Sequence, residues 1–373
     1  MDEEFLSPDQ AEEIVGKYLE HEGDISSTQE ILDSGVIPRL KGYVVRPGKV
    51  SDSIFGGKGS FKNKSGERIE FENPQLLARD GAPLRIMVRT DRISTHDINR
   101  GSIPFKDQIL ALNHNYMRKM VAPFIGTSQL EVPGLADNSV VIAAEDLKQL
   151  GFEMVLRDFM AKSSTSTSLF QHYMKGERVF CGHKLPEGLI PNGSLPYIMD
   201  TPSTKSEEHD ESLAPEEMFK RGICTLEQYS MIKEGALKAF SEVSWFLGDK
   251  GIIIADTKTE HGINKYGKIV SQDELFTMDS SRFWLREDYN QQMQLLNEGK
   301  ITELNPKSYS KEFARGFSEG EKGYTSEQRA AIAVRYIEGI QNLLGMRFAP
   351  NMEPRDGRVI SGLQKIVEEV IAV

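Results

Sequence analysis

An α+β fold in two lobes is what this sequence predicts. Short β-rich runs fill its first 150 residues, a charged β-hairpin flanked by long helical stretches follows, and 373 residues are enough for two buried cores. The expected division is a helical N-terminal extension over 1–36, an antiparallel β-rich lobe over 37–150, and a mixed α/β lobe with closing helices over 151–373.

In chain order, residues 1–36 carry many acids in an amphipathic pattern, with Ser26, Ser27 or Thr28 as an N-cap before QEILDSG. This stretch reads as a packing extension. The runs GYVVRP and LRIMVRTD have strand composition, and the glycine and lysine segment FGGKGSFKNKSG between them reads as a mobile connection. Residues 106–124 have Ile109, Leu110, Leu112, Tyr116 and Met117 near helical spacing. The second lobe starts near Gly151 and carries a loop-rich insertion over 175–215. A helix over 225–247, the hairpin, and helices over 326–344 and 357–371 complete it.

Two cysteines, Cys181 and Cys224, supply neither a disulfide framework nor metal-ligand spacing, which favours a reducing compartment. No apolar run approaches the roughly 20 residues that span a bilayer, and the opening MDEEFLSPDQ is acidic where a signal peptide is basic. The expectation is a soluble, cytoplasmic protein. A net charge of −11 disfavours nucleic acid and anionic membranes as partners, so small anionic ligands must be met by local positive charge.

The densest chemistry lies in IIIADTKTEHGINKYGKIVSQDELFTMDSSRFW, residues 252–284. The apolar run 252–255 reads as a buried strand whose continuation puts Asp256, Lys258 and Glu260 on one face, with Thr257 and Thr259 opposite. A turn at Asn264 and Gly267 leads to a second strand over 268–276, which returns Asp273 to the neighbourhood of Glu260. Two carboxylates on adjacent strands suit Mg²⁺ against phosphate oxygens. The same pattern also suits a solvated hairpin face tied by cross-strand ion pairs.

ADTKTEHG followed by DELFTMDSSRFW resembles the signature pair of the SAICAR synthetases, purine-pathway ligases that use ATP to join aspartate to a carboxylated aminoimidazole ribotide. GKVSD (48–52), VRTDRISTHD (88–97), SIPFKDQIL (102–110), FEMVLRDF (152–159), DTPSTKSEEHD (200–210), KEFARGF (311–317) and RYIEGIQNLLG (335–345) resemble further family segments in the family's order. The likeness spans about residues 37–350 and implies a two-lobed fold with ATP bound between the lobes.

By that resemblance, Gly48, Lys49 and Val50 belong to a phosphate-covering loop, and Glu153 neighbours adenine. Lys205, His209 and Asp210 lie near the phosphates, while Glu260 and Asp273 hold Mg²⁺. Arg157, Ser281 and Arg282 meet the ribotide, Ser281 and Arg282 beginning a helix. Asp91, Arg92 and Ser94 border the ribotide or aspartate, and Lys106 binds a carboxylate. Lysine supplies point charge and arginine parallel N–H donors, as these anions require. Without the resemblance, Asp279 reads as an N-cap, Lys106 as a snorkelling surface lysine and KSEEHD as a solvated charge run.

Two positions depart from the family pattern. After Arg157, where Gly-Ser is usual, stand Lys162, Ser163 and Ser164 with one residue inserted; Ser164 is the serine taken to face the ribotide. Asp107 replaces a glycine and adds a negative charge close to an anion site, so either the loop is re-aimed or the substrate aspartate is held by other groups. The implied chemistry is activation of the ribotide carboxylate as an acyl phosphate, then displacement of phosphate by the amine of aspartate. Lys49, Lys205 and Lys258 offset phosphoryl charge there, with Asp256 beside them. A small-molecule kinase and a non-catalytic nucleotide sensor are the alternatives, and the sequence leaves the oligomeric state open.

Overall fold

The structure is a computed structural model that describes residues 4–20, 26–63, 66–95, 98–205 and 210–372. Two antiparallel sheets organise it. The first orders Val45–Pro47, Ser51–Phe55, Leu84–Arg89 and Val141–Glu145 side by side. The second runs Ser194–Asp200, Lys148–Phe159, Ile252–Ile263 and Ile269–Ser271, with Ser281–Leu285 also paired to Ile252–Ile263. The chain passes from one sheet to the other between Glu145 and Lys148.

Each sheet has its own core. Ile54, Leu84, Ile86 and Val88 of the first sheet pack with Val359, Leu363 and Ile366 of the helix Arg355–Glu369. The second sheet buries Phe152, Met154, Leu156, Ile252 and Ile254 against the helices Leu226–Gly248 and Ser326–Leu344. A boundary near residue 150 therefore does not separate the lobes. The closing helix, expected in the second lobe, packs on the first, while Lys106–Val121 packs with the second core through Ile109, Leu110, Met117 and Val121.

Helix signals are honoured closely. Ser27 is the N-cap of Thr28–Asp33, its hydroxyl accepting from the Glu30 amide while Glu30 returns to the Ser27 amide. Thr225 and Gln228 form the same reciprocal cap at Leu226–Gly248, and Thr325 and Gln328 at Ser326–Leu344.

The glycine and lysine segment is not a simple loop: Gly57–Lys62 pairs antiparallel with Arg68–Asn73. Gly59 faces Phe71 so closely that a Cβ would lie 2.5 Å from the ring. Here glycine makes room for an aromatic neighbour. Part of the 175–215 insertion also joins the second sheet as the strand Ser194–Asp200.

Asp107, the acid in place of a glycine, is fully buried at the start of Lys106–Val121. It accepts from Arg358 at 3.1 Å and from the Gln108 amide at 2.8 Å. The carboxylate is thus held by the closing helix, which ties the lobes together. Replacing Arg358 with methionine leaves Asp107 buried without its cation and is expected to cost about 3–5 kcal/mol. Urea unfolding measures this, and Arg358→Met combined with Asp107→Gly should recover most of the loss.

Candidate functional site

The strands Lys148–Phe159 and Ile252–Ile263 pair so that Arg157 faces Asp256, Val155 faces Lys258 and Glu153 faces Glu260. The two-residue period puts all six on one side of the sheet. Five of them, all but Glu260, form one wall of a cavity of about 260 Å³, and Ser163, Thr165, Asp210, Asp279 and Lys311 are among its other lining residues.

At one end stand three arginines. Oδ2 of Asp256 accepts from Arg157 at 2.8 Å and also from Arg282. Arg157 donates further to Thr201 Oγ1 at 2.9 Å, and Arg282 to Glu312 at 3.2 Å, where Arg315 also pairs. Asp256, expected among the catalytic groups, holds two guanidiniums in place. Ser281 and Arg282 do not begin a helix. They lie in the strand Ser281–Leu285, because Asp256 and Thr257 pair with them, and the Ser281 and Thr257 hydroxyls meet at 2.8 Å. Ser164 is exposed and Ser163 and Thr165 line the cavity instead. Lys162 turns to Glu303 at 2.7 Å.

At the other end Lys258 donates to Glu153 at 2.9 Å and lies 3.5 Å from Glu260, which also pairs with Lys205. Burial opposes the Lys258 ammonium, but Glu153 and Glu260 outweigh it and raise its pKa above the ordinary lysine value. The returning strand is shorter than expected, Ile269–Ser271 only. Even so, the Gln272 amide donates to the Glu260 carbonyl at 3.1 Å, which keeps Asp273 beside that acid. Asp273 is exposed and makes no direct ion pair among the described residues.

A second cavity of about 260 Å³ opens beyond Gln272, where the chain crosses between sheets at residues 145–147. Phe55, Phe71 and Leu147 give it apolar surface and Arg85 a charge. Glu153 is not among its lining residues. Gly48, Lys49 and Val50 form the turn before Ser51–Phe55. Gly48 is required there, since a Cβ would sit 2.3 Å from the Ser51 carbonyl oxygen. Arg92 donates to that turn at Gly48 O, 2.9 Å, and to Asp52 at 2.6 Å, while Thr90 donates to Val50 O. Arg92 therefore shapes the loop and does not reach the first cavity.

Asp91, Ser94 and Lys106 are likewise absent from the lining of the first cavity. Lys106 is fully buried and gives its ammonium to Asp279 at 2.7 Å, so it is neither a snorkelling residue nor on the wall. Asp279 is not an N-cap. Its other oxygen accepts from Tyr336 at 2.7 Å, and Lys106 and Lys311 keep its pKa below the carboxylate range despite burial. Phe105 and Phe276 hold left-handed backbone, φ 61° and 52°, on the segments carrying these partners. Burial of both rings maintains that conformation. His209 lies outside the described residues.

Asp279 as an acceptor, together with Lys311, Glu312, Arg315 and Tyr336, was not singled out from sequence. KEFARGF resembles a family segment without roles for its residues, and the turn back toward Asp279 supplies them.

The loop 272–280 is fixed from behind by His114. Its Nδ1 accepts from the Leu275 amide at 3.0 Å and its Nε2 meets Gln129 Oε1 at 3.0 Å, the pattern of a neutral imidazole. Burial pushes its pKa from 6.5 down to about 3. Between those values the unfolded chain binds the proton and the folded one does not. Stability should therefore fall on acidification through this window by about 1.4 kcal/mol per pH unit. Urea midpoints against pH measure it, and His114→Gln should remove that share of the slope.

The sequence profile of the SAICAR synthetases matches residues 77–331. A putative phosphoribosylaminoimidazole-succinocarboxamide synthase 2 of Agrobacterium fabrum is 30% identical over 331 residues, 86% of this chain and 93% of its own. The synthase of Legionella pneumophila (strain Paris) is 33% identical over 291 residues, 75% of this chain and 89% of its own. In fold, the chain is similar to SAICAR synthase from Saccharomyces cerevisiae complexed with SAICAR, with a TM-score of 0.63 at 23% identity over 83% of this chain and 97% of that one.

Proposed function

This chain belongs to the SAICAR synthetase family, and from that premise we propose how its two cavities carry out the reaction. The activity is ATP-dependent ligation in purine biosynthesis, joining L-aspartate to the carboxylate of the aminoimidazole ribotide to give SAICAR, ADP and phosphate. The observation that carries the assignment of ends is the single Asp256 carboxylate gripping Arg157 and Arg282 at one end of a sheet face whose other end is Lys258, Glu153 and Glu260.

The two arginines present forked donors to the ribotide's oxyanions, with Ser163 and Thr165 on the same wall. Adenine fits the second cavity, between Phe55, Phe71 and the inter-lobe connection. Its triphosphate would then run past Gln272 toward Lys258 and Lys205, under the Gly48–Val50 turn, with Asp210 at the cavity rim. A neighbour with a TM-score of 0.55, a SAICAR synthetase in complex with ADP, is consistent with a nucleotide on this fold.

Mg²⁺ fits the donors present. No group of three or more metal-ligating side chains occurs among the described residues. Glu260 and Asp273 supply two hard oxygens, and phosphates and water would complete the shell. When bound, the ion neutralises phosphate charge. Lys258 and Lys205 do the same from the sheet, and the ribotide carboxylate attacks the γ-phosphorus to give an acyl phosphate and ADP. The neutral amine of aspartate then adds to the acyl carbon, phosphate departs with the C–O electron pair, and the nitrogen gives up one proton to the departing phosphate or to water. Asp279, Lys311 and Arg315 on the wall orient the incoming amino acid. A carboxylate acceptor and aspartate's requirement for two anion sites favour ligation over simple phosphorylation.

A cytoplasmic location agrees with two free buried cysteines, and no helix among the described residues is long and apolar enough to cross a membrane.

Incubation with ATP, carboxylated ribotide and aspartate, with product mass read directly, should give the succinocarboxamide only when all three are present. A phosphorylated ribotide formed without aspartate would mark a kinase. Glu260→Ala should keep its circular dichroism spectrum and lose about 10²- to 10³-fold in ADP release, whereas near-normal turnover would remove Glu260 from the metal site.

A further inference from the structure

We infer that the short helix Thr28–Asp33 is a positioning element for the nucleotide, setting the Gly48–Val50 turn through a chain of hydrogen bonds that starts at a buried hydroxyl. This helix lies in the N-terminal extension, outside the family resemblance. The Thr28 hydroxyl, fully buried, donates to Asp52 Oδ2 at 2.7 Å. The other Asp52 oxygen takes Arg92 at 2.6 Å, and the same arginine nitrogen donates to the Gly48 carbonyl at 2.9 Å. One threonine thus fixes the orientation of the carboxylate that aims the arginine holding the turn.

The neighbouring Gln29 braces the preceding strand. Its amide donates to Tyr43 O at 3.0 Å and its oxygen accepts from the Val45 amide at 2.8 Å. Both strands of the hairpin that carries Lys49 are therefore tied to consecutive residues of one helix. The helix is itself fixed by the Ser27 and Glu30 cap and by Arg355 of the closing helix, which donates to Ser26 O at 2.9 Å. A buried hydroxyl bonded to a carboxylate is a costly arrangement to break, because the carboxylate loses a donor it cannot replace from water. With the Thr28 hydroxyl removed, Asp52 keeps Arg92 but loses the donor that fixes its own orientation, and the turn loses its fixed height over the phosphates.

The inference rests on the reading that the Gly48–Val50 turn covers the nucleotide. Thr28→Val keeps the shape and deletes the donor. It should raise KM for ATP about tenfold while kcat and the KM for aspartate stay within twofold, and Thr28→Ser should behave as the unmodified protein. Gln29→Met should give the same selective rise, and serves if Thr28→Val does not fold. Lys49→Ala reports on the turn itself. If Lys49→Ala raises KM for ATP while Thr28→Val and Gln29→Met lower only the melting temperature, the brace is overturned and the nucleotide reading stands. If none of the three moves KM for ATP, the turn is not a nucleotide element and both readings fall.

Discussion

The site depends on the register between Lys148–Phe159 and Ile252–Ile263. Antiparallel strands offer a two-residue period, and in this register Arg157 meets Asp256, Val155 meets Lys258 and Glu153 meets Glu260. A slip of one residue would turn Asp256, Lys258 and Glu260 toward the core and replace their charges on the cavity face with threonines. Met154 and Leu156, which pair with Thr259 and Thr257, oppose that slip together with Ile252 and Ile254, since all four apolar residues are buried in one core. Packing on one face thus sets the chemistry of the other.

A second regularity is that carboxylates here are shared. Asp256 serves Arg157 and Arg282, Glu312 serves Arg282 and Arg315, and Asp279 serves Lys106 with Lys311 nearby. Two acids, Asp256 and Glu312, fix three guanidiniums, Arg157, Arg282 and Arg315, so the arginine end of the wall keeps one positive charge in excess and its donors stay oriented. In a chain of net charge −11 this local excess is what makes an anionic cavity ligand tolerable. Such a wall needs little reorganisation when charge develops on a substrate, which is how fixed dipoles and ions lower barriers.

How much of this was legible in the sequence varies by the range of the interaction. Strand alternation gave the shared face of Asp256, Lys258 and Glu260, and the cap candidates at Ser26, Ser27 and Thr28 gave the start of the helix Thr28–Asp33, because these are local relations. Non-local relations were hidden. DSSRFW begins with an acid and two serines, so it reads as a helix start. Its pairing with Asp256 and Thr257 makes it a strand, and Asp279 receives a lysine from 173 residues away. Lys311 and Arg315 lay in a segment that resembled the family, but nothing local assigned them a partner or a place on the cavity wall. Asp107 looked like a defect until Arg358, 251 residues later, supplied its cation.

That last pairing has a consequence for how the molecule is made. The first sheet buries Leu84, Ile86 and Val88 against a helix encoded at the far end of the message. During synthesis these strands emerge early yet keep an uncovered apolar face until translation passes residue 366. Pairings of such sequence separation form slowly and leave the nascent polypeptide prone to association. The first lobe therefore closes only once the helix carrying Val359, Leu363 and Ile366 has been made.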